Sequence, residues 1–294
     1  MSAAFVVTQR NLSLFFRDRV GVFFSLLSAL ILIALYALFL GNLQVDTLTA
    51  KLPAASDHDI RWFVNSWVFA GITMITTLTT ALASLSVFVD DRSSGRFRDF
   101  LVSPVRRSHL IFGYVFSSFI VSFVMSLVIV VVGQLFLWIQ NDDILTADRI
   151  LHVVGYVALC SGAFAALSSF VVTFLRSSGA FATLSTVVGT IIGFLAGAYI
   201  PSGTLPAGVV NVMNALPFAQ AALLLRGPYT EQAVDALTAG PHGDAAAATV
   251  RAYYGISASI GDLDVSAALA VGTLCVVLLV FASLGAWRLS GRIR

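Results

Sequence analysis

The chain has 294 residues, 58% of them hydrophobic and only 11% charged. Soluble domains carry about 25% charged residues, so this composition cannot cover a water-facing surface and excludes a soluble globular fold. The net charge of +2 conceals a strongly polarised distribution, described below, and gives no footing for nucleic-acid binding.

Residues 3–19 place Phe5, Val6, Gln9, Leu12 and Phe16 at helical spacing, with Arg10, Arg17 and Arg19 among them. That pattern predicts an N-terminal amphipathic helix lying at a membrane interface. Crossing ~30 Å of hydrocarbon takes about 20 apolar residues in a helix. Six stretches meet that length: 21–41, 62–89, 109–139, 151–175, 180–200 and 266–287, none containing Asp, Glu, Lys or Arg. The first exceeds the about 7–15 residues of a signal-peptide core and reads as a retained helix. The expected fold is an all-α integral membrane protein with six transmembrane helices.

Between the spans, segment 90–108 is short, charged and interrupted by Pro104, and 176–179 is a tight turn. Segment 201–265 is the longest piece outside the spans and is read as an extracellular helical segment between the fifth and sixth helices. It has a Pro/Gly-rich entry, then an apolar piece over 209–225 too short to span. Past a break at Gly227–Pro228, a polar Ala-rich stretch suits one or two short helices. Cys160 and Cys275 both fall inside spans and suit packing rather than a disulfide framework.

With six spans both termini share a side. That side collects 12 arginines, at 10, 17, 19, 92, 96, 98, 106, 107, 176, 288, 292 and 294, against 4 aspartates. The other side keeps 5 basic and 11 acidic residues. The excess of arginine in short loops places the termini in the cytoplasm.

Two helices carry internal patterns. In the second, Thr73, Thr76, Thr77, Thr80 and Ser84 make one hydroxyl face, read either as the lining of a translocation pathway or as ordinary packing. In the fifth, Ser185, Gly189, Gly193 and Gly197 recur every fourth residue. Such a small-residue stripe lets helices approach closely in lipid, either within one chain or between two subunits.

Enzymatic chemistry finds little support. Lys51 is the one lysine and stands in TLTAKLP, so the chain holds no phosphate-binding G-x-x-x-x-G-K-[ST] loop. The histidines, at 58, 109, 152 and 242, form no H-E-x-x-H pair or cluster that would hold a metal, and no G-x-S-x-G elbow occurs. The spans lack the ionisable groups that mark proton relays. An ion-coupled secondary transporter or a membrane-embedded enzyme are the alternatives to a transporter powered from outside the chain.

Segment 90–108 reads DDRSSGRFRDFLVSPVRRS. With Asp91, Ser94, Gly95, Phe100, Leu101, Pro104 and Val105, it resembles the cytoplasmic segment of ABC-2 type transporter permeases. A second match follows the fifth helix, in Pro201, Leu205–Pro206, Pro217 and Arg226, and a third is Arg10 with Arg17–Asp18. Asp91–Arg92 stands where that family often has Glu-Arg, and Arg96–Phe97 where it often has Thr-Leu.

The resemblance implies a single permease domain over residues 1–294, in a bacterial plasma membrane. It implies a cytoplasmic ATP-binding subunit docking on loop 90–108 through Asp91, Gly95, Arg96, Phe97, Phe100, Leu101, Pro104 and Val105. ATP and magnesium would then sit on that subunit, with no cofactor on this chain. It also implies a second permease chain, identical or a paralogue, surrounding membrane lipids, and export of an amphipathic or hydrophobic substrate such as a drug, antibiotic peptide, lipid or lipid-linked glycan.

Overall fold

The protein is described from a computed structural model that covers residues 3–53, 55–96, 107–239 and 243–291. Helix α1 spans Ala3–Arg17 and α2 Arg19–Ser25, joined at Asp18, whose side chain accepts from the Gly21 amide at 2.9 Å. Helix α3 (Leu27–Leu35) continues through a π-helical turn, Tyr36–Leu40, into α4 (Gly41–Lys51). Helix α5 (Asp57–Ser84) starts at Ser56, whose hydroxyl caps the Asp59 amide at 3.1 Å, and α6 (Ser86–Ser93) prolongs it past Leu85.

Then come α7 (Arg107–Ile139), α8 (Ala147–Val172) and α9 (Ser178–Leu195). Two helices, α10 (Ala207–Ala215) and α11 (Pro217–Leu237), meet at a bend of 88°. Helix α12 (Gly243–Tyr253) and a short antiparallel hairpin, β1 (Ser259–Ile260) with β2 (Leu263–Asp264), lead into α13 (Ala267–Gly291).

Among the described residues, six helices are long and apolar enough to cross a membrane: Leu27–Lys51, Asp57–Ser93, His109–Ile139, Ala147–Val172, Ser178–Leu195 and Ala267–Arg288. The expected all-α membrane fold is therefore what the chain adopts. The first span differs from the expected 21–41, running on to Lys51 through polar residues. It does so because Gln44, Val45 and Leu48 of α4 are buried, and α4 packs against α5. The second is longer than expected at both ends, because the Ser56 cap starts it earlier and α6 extends it.

Helix α5 is the axis of the bundle. In its most apolar stretch 78% of the residues are buried, against 17% for α9 and 11% for α13. Trp67 and Phe63 of α5 pack edge-on against Tyr254 at 5.2 and 4.9 Å, and the Trp67 indole donates to the Tyr254 carbonyl at 2.8 Å.

Part of the segment 201–265 packs into the bundle. Phe218, just past the bend, stacks on Phe164 in the middle of α8 at 5.7 Å, while Glu231 pairs with Arg149 at the start of α8 at 2.9 Å. Gly203, ahead of α10, abuts Tyr253, and Asn214 donates to the Ser259 carbonyl at 2.9 Å. The pair α10–α11 thus dips into the bundle and returns to the end it entered, as a re-entrant hairpin. Helix α11 also runs unbroken through Gly227–Pro228, where the sequence predicted a break. Its burial on α5, α8 and α13 offsets the helix-breaking cost of the proline.

Candidate functional site at the root of the 90–108 loop

Where α6 ends, three consecutive charged residues reach in different directions. The Asp91 side chain is 1% exposed and takes both Arg10 Nη1 and Nη2, at 2.7 and 2.8 Å, in a two-pronged ion pair. The Tyr114 hydroxyl of α7 donates to its Oδ2 at 2.7 Å, and Arg96 approaches Oδ1 at 3.6 Å. The hydrogen bond from Arg10 to Asp91 holds the guanidinium pKa above its ordinary value, against the opposing effect of desolvation. Removing Arg10 takes the main counter-charge from the buried Asp91 carboxylate, a loss of up to about 3–5 kcal/mol.

The neighbours of Asp91 turn the other way. Asp90 Oδ1 accepts from the Ser178 hydroxyl at the start of α9, at 2.7 Å. Arg92 Nη1 donates to the carbonyls of Thr173 and Leu175, at 2.7 and 3.0 Å, in the turn between α8 and α9. The Asp90–Asp91–Arg92 triplet therefore ties α1, α7 and the base of α9 to one point. Gly95 follows with φ +82°, a left-handed conformation that ends α6 and favours glycine. Of the residues expected to meet an ATPase, Asp91, Gly95 and Arg96 gather here. Phe97, Phe100, Leu101, Pro104 and Val105 lie outside the described residues.

The model of the family described as "ABC-2 type transporter" matches residues 2–228, which include α1, this triplet and the start of the re-entrant hairpin. The chain belongs to the ABC-2 type transporter family. No curated protein matches it.

In this ABC-2 permease, the hydroxyl face of α5 does not line an opening. Thr73, Thr76, Thr77 and Thr80 are at most 1% exposed, and Ser84 is buried. Their hydroxyls donate to carbonyls three or four residues back, such as Thr76 to Ile72 at 2.8 Å and Ser84 to Ala81 at 2.8 Å. Other partners come from the same chain: Thr73 Oγ1 lies 3.3 Å from the Tyr229 hydroxyl, and Ser122 and Ser118 of α7 donate to the Thr77 and Ala81 carbonyls at 2.6 and 2.8 Å. In this structure the face meets α7 and α11 rather than open space.

The stripe on α9 is partly covered by its own chain. Gly197 lies beyond the helix with φ +61°, where the Ala198 amide closes back on the Gly193 carbonyl at 2.8 Å. The ring of Tyr199 covers Gly193, and its hydroxyl donates to the Gly189 carbonyl at 3.3 Å. Ser185 and Gly189 are half-buried, and Gly189 faces Ser28 of α3. A fold-back of its own chain thus covers the Gly193 end of the stripe.

Arg226 has the most to do at the far end. It is 3% exposed and donates to the carbonyls of Ala196, Gly197 and Gly255, at 2.8, 2.6 and 3.2 Å, with Trp67 beneath it at 5.4 Å. A guanidinium suits the exposed carbonyl end of α9, where helix dipole and free acceptors coincide. Sequence pattern singled out Arg226 but not this role, because its partners are backbone carbonyls and carry no side-chain signature.

Proposed function

We propose that this permease is the membrane half of an ATP-driven exporter that moves an amphipathic or hydrophobic molecule out of the cytoplasm or inner leaflet. The observation that carries the reading is the Asp90–Asp91–Arg92 triplet. A load applied to loop 90–108 reaches α1, α7 and α9 through hydrogen bonds of 2.7–3.0 Å. A cytoplasmic ATP-binding subunit, carrying the ATP and magnesium, docks on that loop, with Phe97, Phe100 and Leu101 supplying apolar contact. ATP binding supplies the differential affinity that shifts the bundle between states.

The arginine distribution supports termini on the cytoplasmic side of a bacterial plasma membrane, with α1 at the inner interface. A second permease chain pairs through the outward face of α9, where Thr183, Thr186 and Thr190 are exposed and Phe194 is 50% exposed. The test is ATP-dependent accumulation of a fluorescent amphiphile in inside-out vesicles holding the permease and its ATPase. Accumulation driven by an ion gradient without ATP would overturn the reading.

A further inference from the structure

Helix α9 is anchored at its ends and stands off in the middle. Its base is held by Ser178 on Asp90 and its tip by Arg226 on the Ala196 and Gly197 carbonyls. Between these anchors only Ile192 and Gly193 of the helix are buried. The gap behind it, against α5 and α8, is a cavity of about 320 Å³.

Leu82 of α5, Val171 of α8 and Val188 of α9 wall this cavity, and Phe218 of the re-entrant hairpin lines it too. Among the described residues lining it, Ser168 is the one polar side chain and none is charged. Val187 and Ile191 line it as well and are 47% and 46% exposed, so it opens sideways.

Such walls exclude both a charge and stable water, since a buried water needs about 2–4 polar partners. They suit hydrocarbon: an apolar cavity of roughly 150 Å³ already holds benzene, and this one is about twice that volume. The walls belong to spanning helices, so the occupant reaches the cavity through the bilayer. Helix α9, which forms one wall, is fastened through Ser178 to the residue beside Asp91, so the coupling triplet and the cavity share an element.

We propose that this cavity takes the alkyl chain of the exported molecule, which makes the substrate an amphiphile with a hydrocarbon tail. The assignment rests on the exporter reading above and specifies its substrate class. The tail enters sideways between α8 and α9, and the polar head stays outside the cavity. Movement of the α9 base changes the width of the cavity and, with it, affinity for the tail.

The test uses the full-length permease in phosphatidylcholine nanodiscs without its ATPase. One probe is a long-chain alkylphosphocholine with a diazirine on its chain, and the other is phosphatidylcholine with the same diazirine in one acyl tail. Photolabelling by the first should map to peptides holding Val171 and Val188 and be competed by unlabelled alkylphosphocholine. It should fall about tenfold, equivalent to about 1.4 kcal/mol, in Val188→Trp and in Ser168→Phe, which fill the cavity from opposite walls. Val131→Trp, on the exposed side of α7 and away from the cavity, should label as the wild type does. Equal labelling by the phosphatidylcholine probe with no competition would mean a bilayer tail only, and would overturn the proposal. Labelling unchanged in both filled variants would overturn it too. If a filled variant aggregates, competition in the wild type decides. Because the ATPase is absent, the result is independent of whether coupling through loop 90–108 stands.

Discussion

Arg10 and Asp91, 81 residues apart, meet through two parallel hydrogen bonds of 2.7 and 2.8 Å. The pair fastens the N-terminal helix to the end of the second span, and Tyr114 completes the carboxylate's shell from the third. The cluster rigidifies the point from which loop 90–108 departs.

Replacing Arg10 with Ala should therefore destabilise the permease by up to about 3–5 kcal/mol, because the Asp91 charge stays buried without its main partner. Asp91→Asn in the same chain should recover part of the loss, since an amide carries no charge to bury. Chemical unfolding of the two single variants and the double variant in detergent measures the coupling. Additive losses would mean that the pair contributes nothing beyond its separate contacts.

Tyr199 occupies the space that a side chain at Gly193 would need, with ring atoms well inside contact distance of a built Cβ. Gly193→Ala should cost about 1–3 kcal/mol through overpacking, and Tyr199→Ala should relieve it. A cysteine replacing Thr190 on the outward face should crosslink two copies, whereas one replacing Gly193 should not. The reverse pattern would return the subunit contact to the glycine stripe.

Asp142 gives a pH dependence. It lies in the turn after α7, where burial pushes its pKa above the ordinary carboxylate value despite the Asn65 amide at 3.3 Å and His58 at 3.5 Å. A raised folded-state pKa means that the folded chain binds the proton more tightly than the unfolded one. The associated stability is fully present below the unfolded carboxylate pKa and is lost as pH rises through the folded one. Melting temperature followed from about pH 4 to pH 7, a range that starts at the unperturbed Asp pKa, should fall more steeply in the wild type than in Asp142→Asn. Parallel profiles would show that Asp142 does not titrate in this window.

The six spans were legible because the apolar runs contain no charged residue and exceed the bilayer thickness. Their ends were less so: the first span runs to Lys51 because α4 packs against α5 with Leu48 buried, and the Gln44 side-chain oxygen accepts from the Tyr254 hydroxyl, which no local pattern reveals. The re-entrant hairpin was hidden because α10 is short and Gly227–Pro228 looked like a break, while tertiary burial carries α11 through it. The hydroxyl and glycine patterns were real as faces, but periodicity identifies a face without saying what covers it. Tyr114 and Ser178, which complete the triplet's contacts, carried no motif of their own.

Energy entry through loop 90–108 is the centre of the account, and the rate of ATP hydrolysis by the reconstituted permease–ATPase complex tests it most directly. Phe100→Asp and Leu101→Asp each set a carboxylate against the apolar groove proposed on the ATPase, where an unpaired charge is far costlier to bury than a neutral polar group. Wild-type permease should stimulate the ATPase, and either variant should insert normally yet leave the rate at that of the ATPase alone. Full stimulation by both variants would contradict the assignment of this loop.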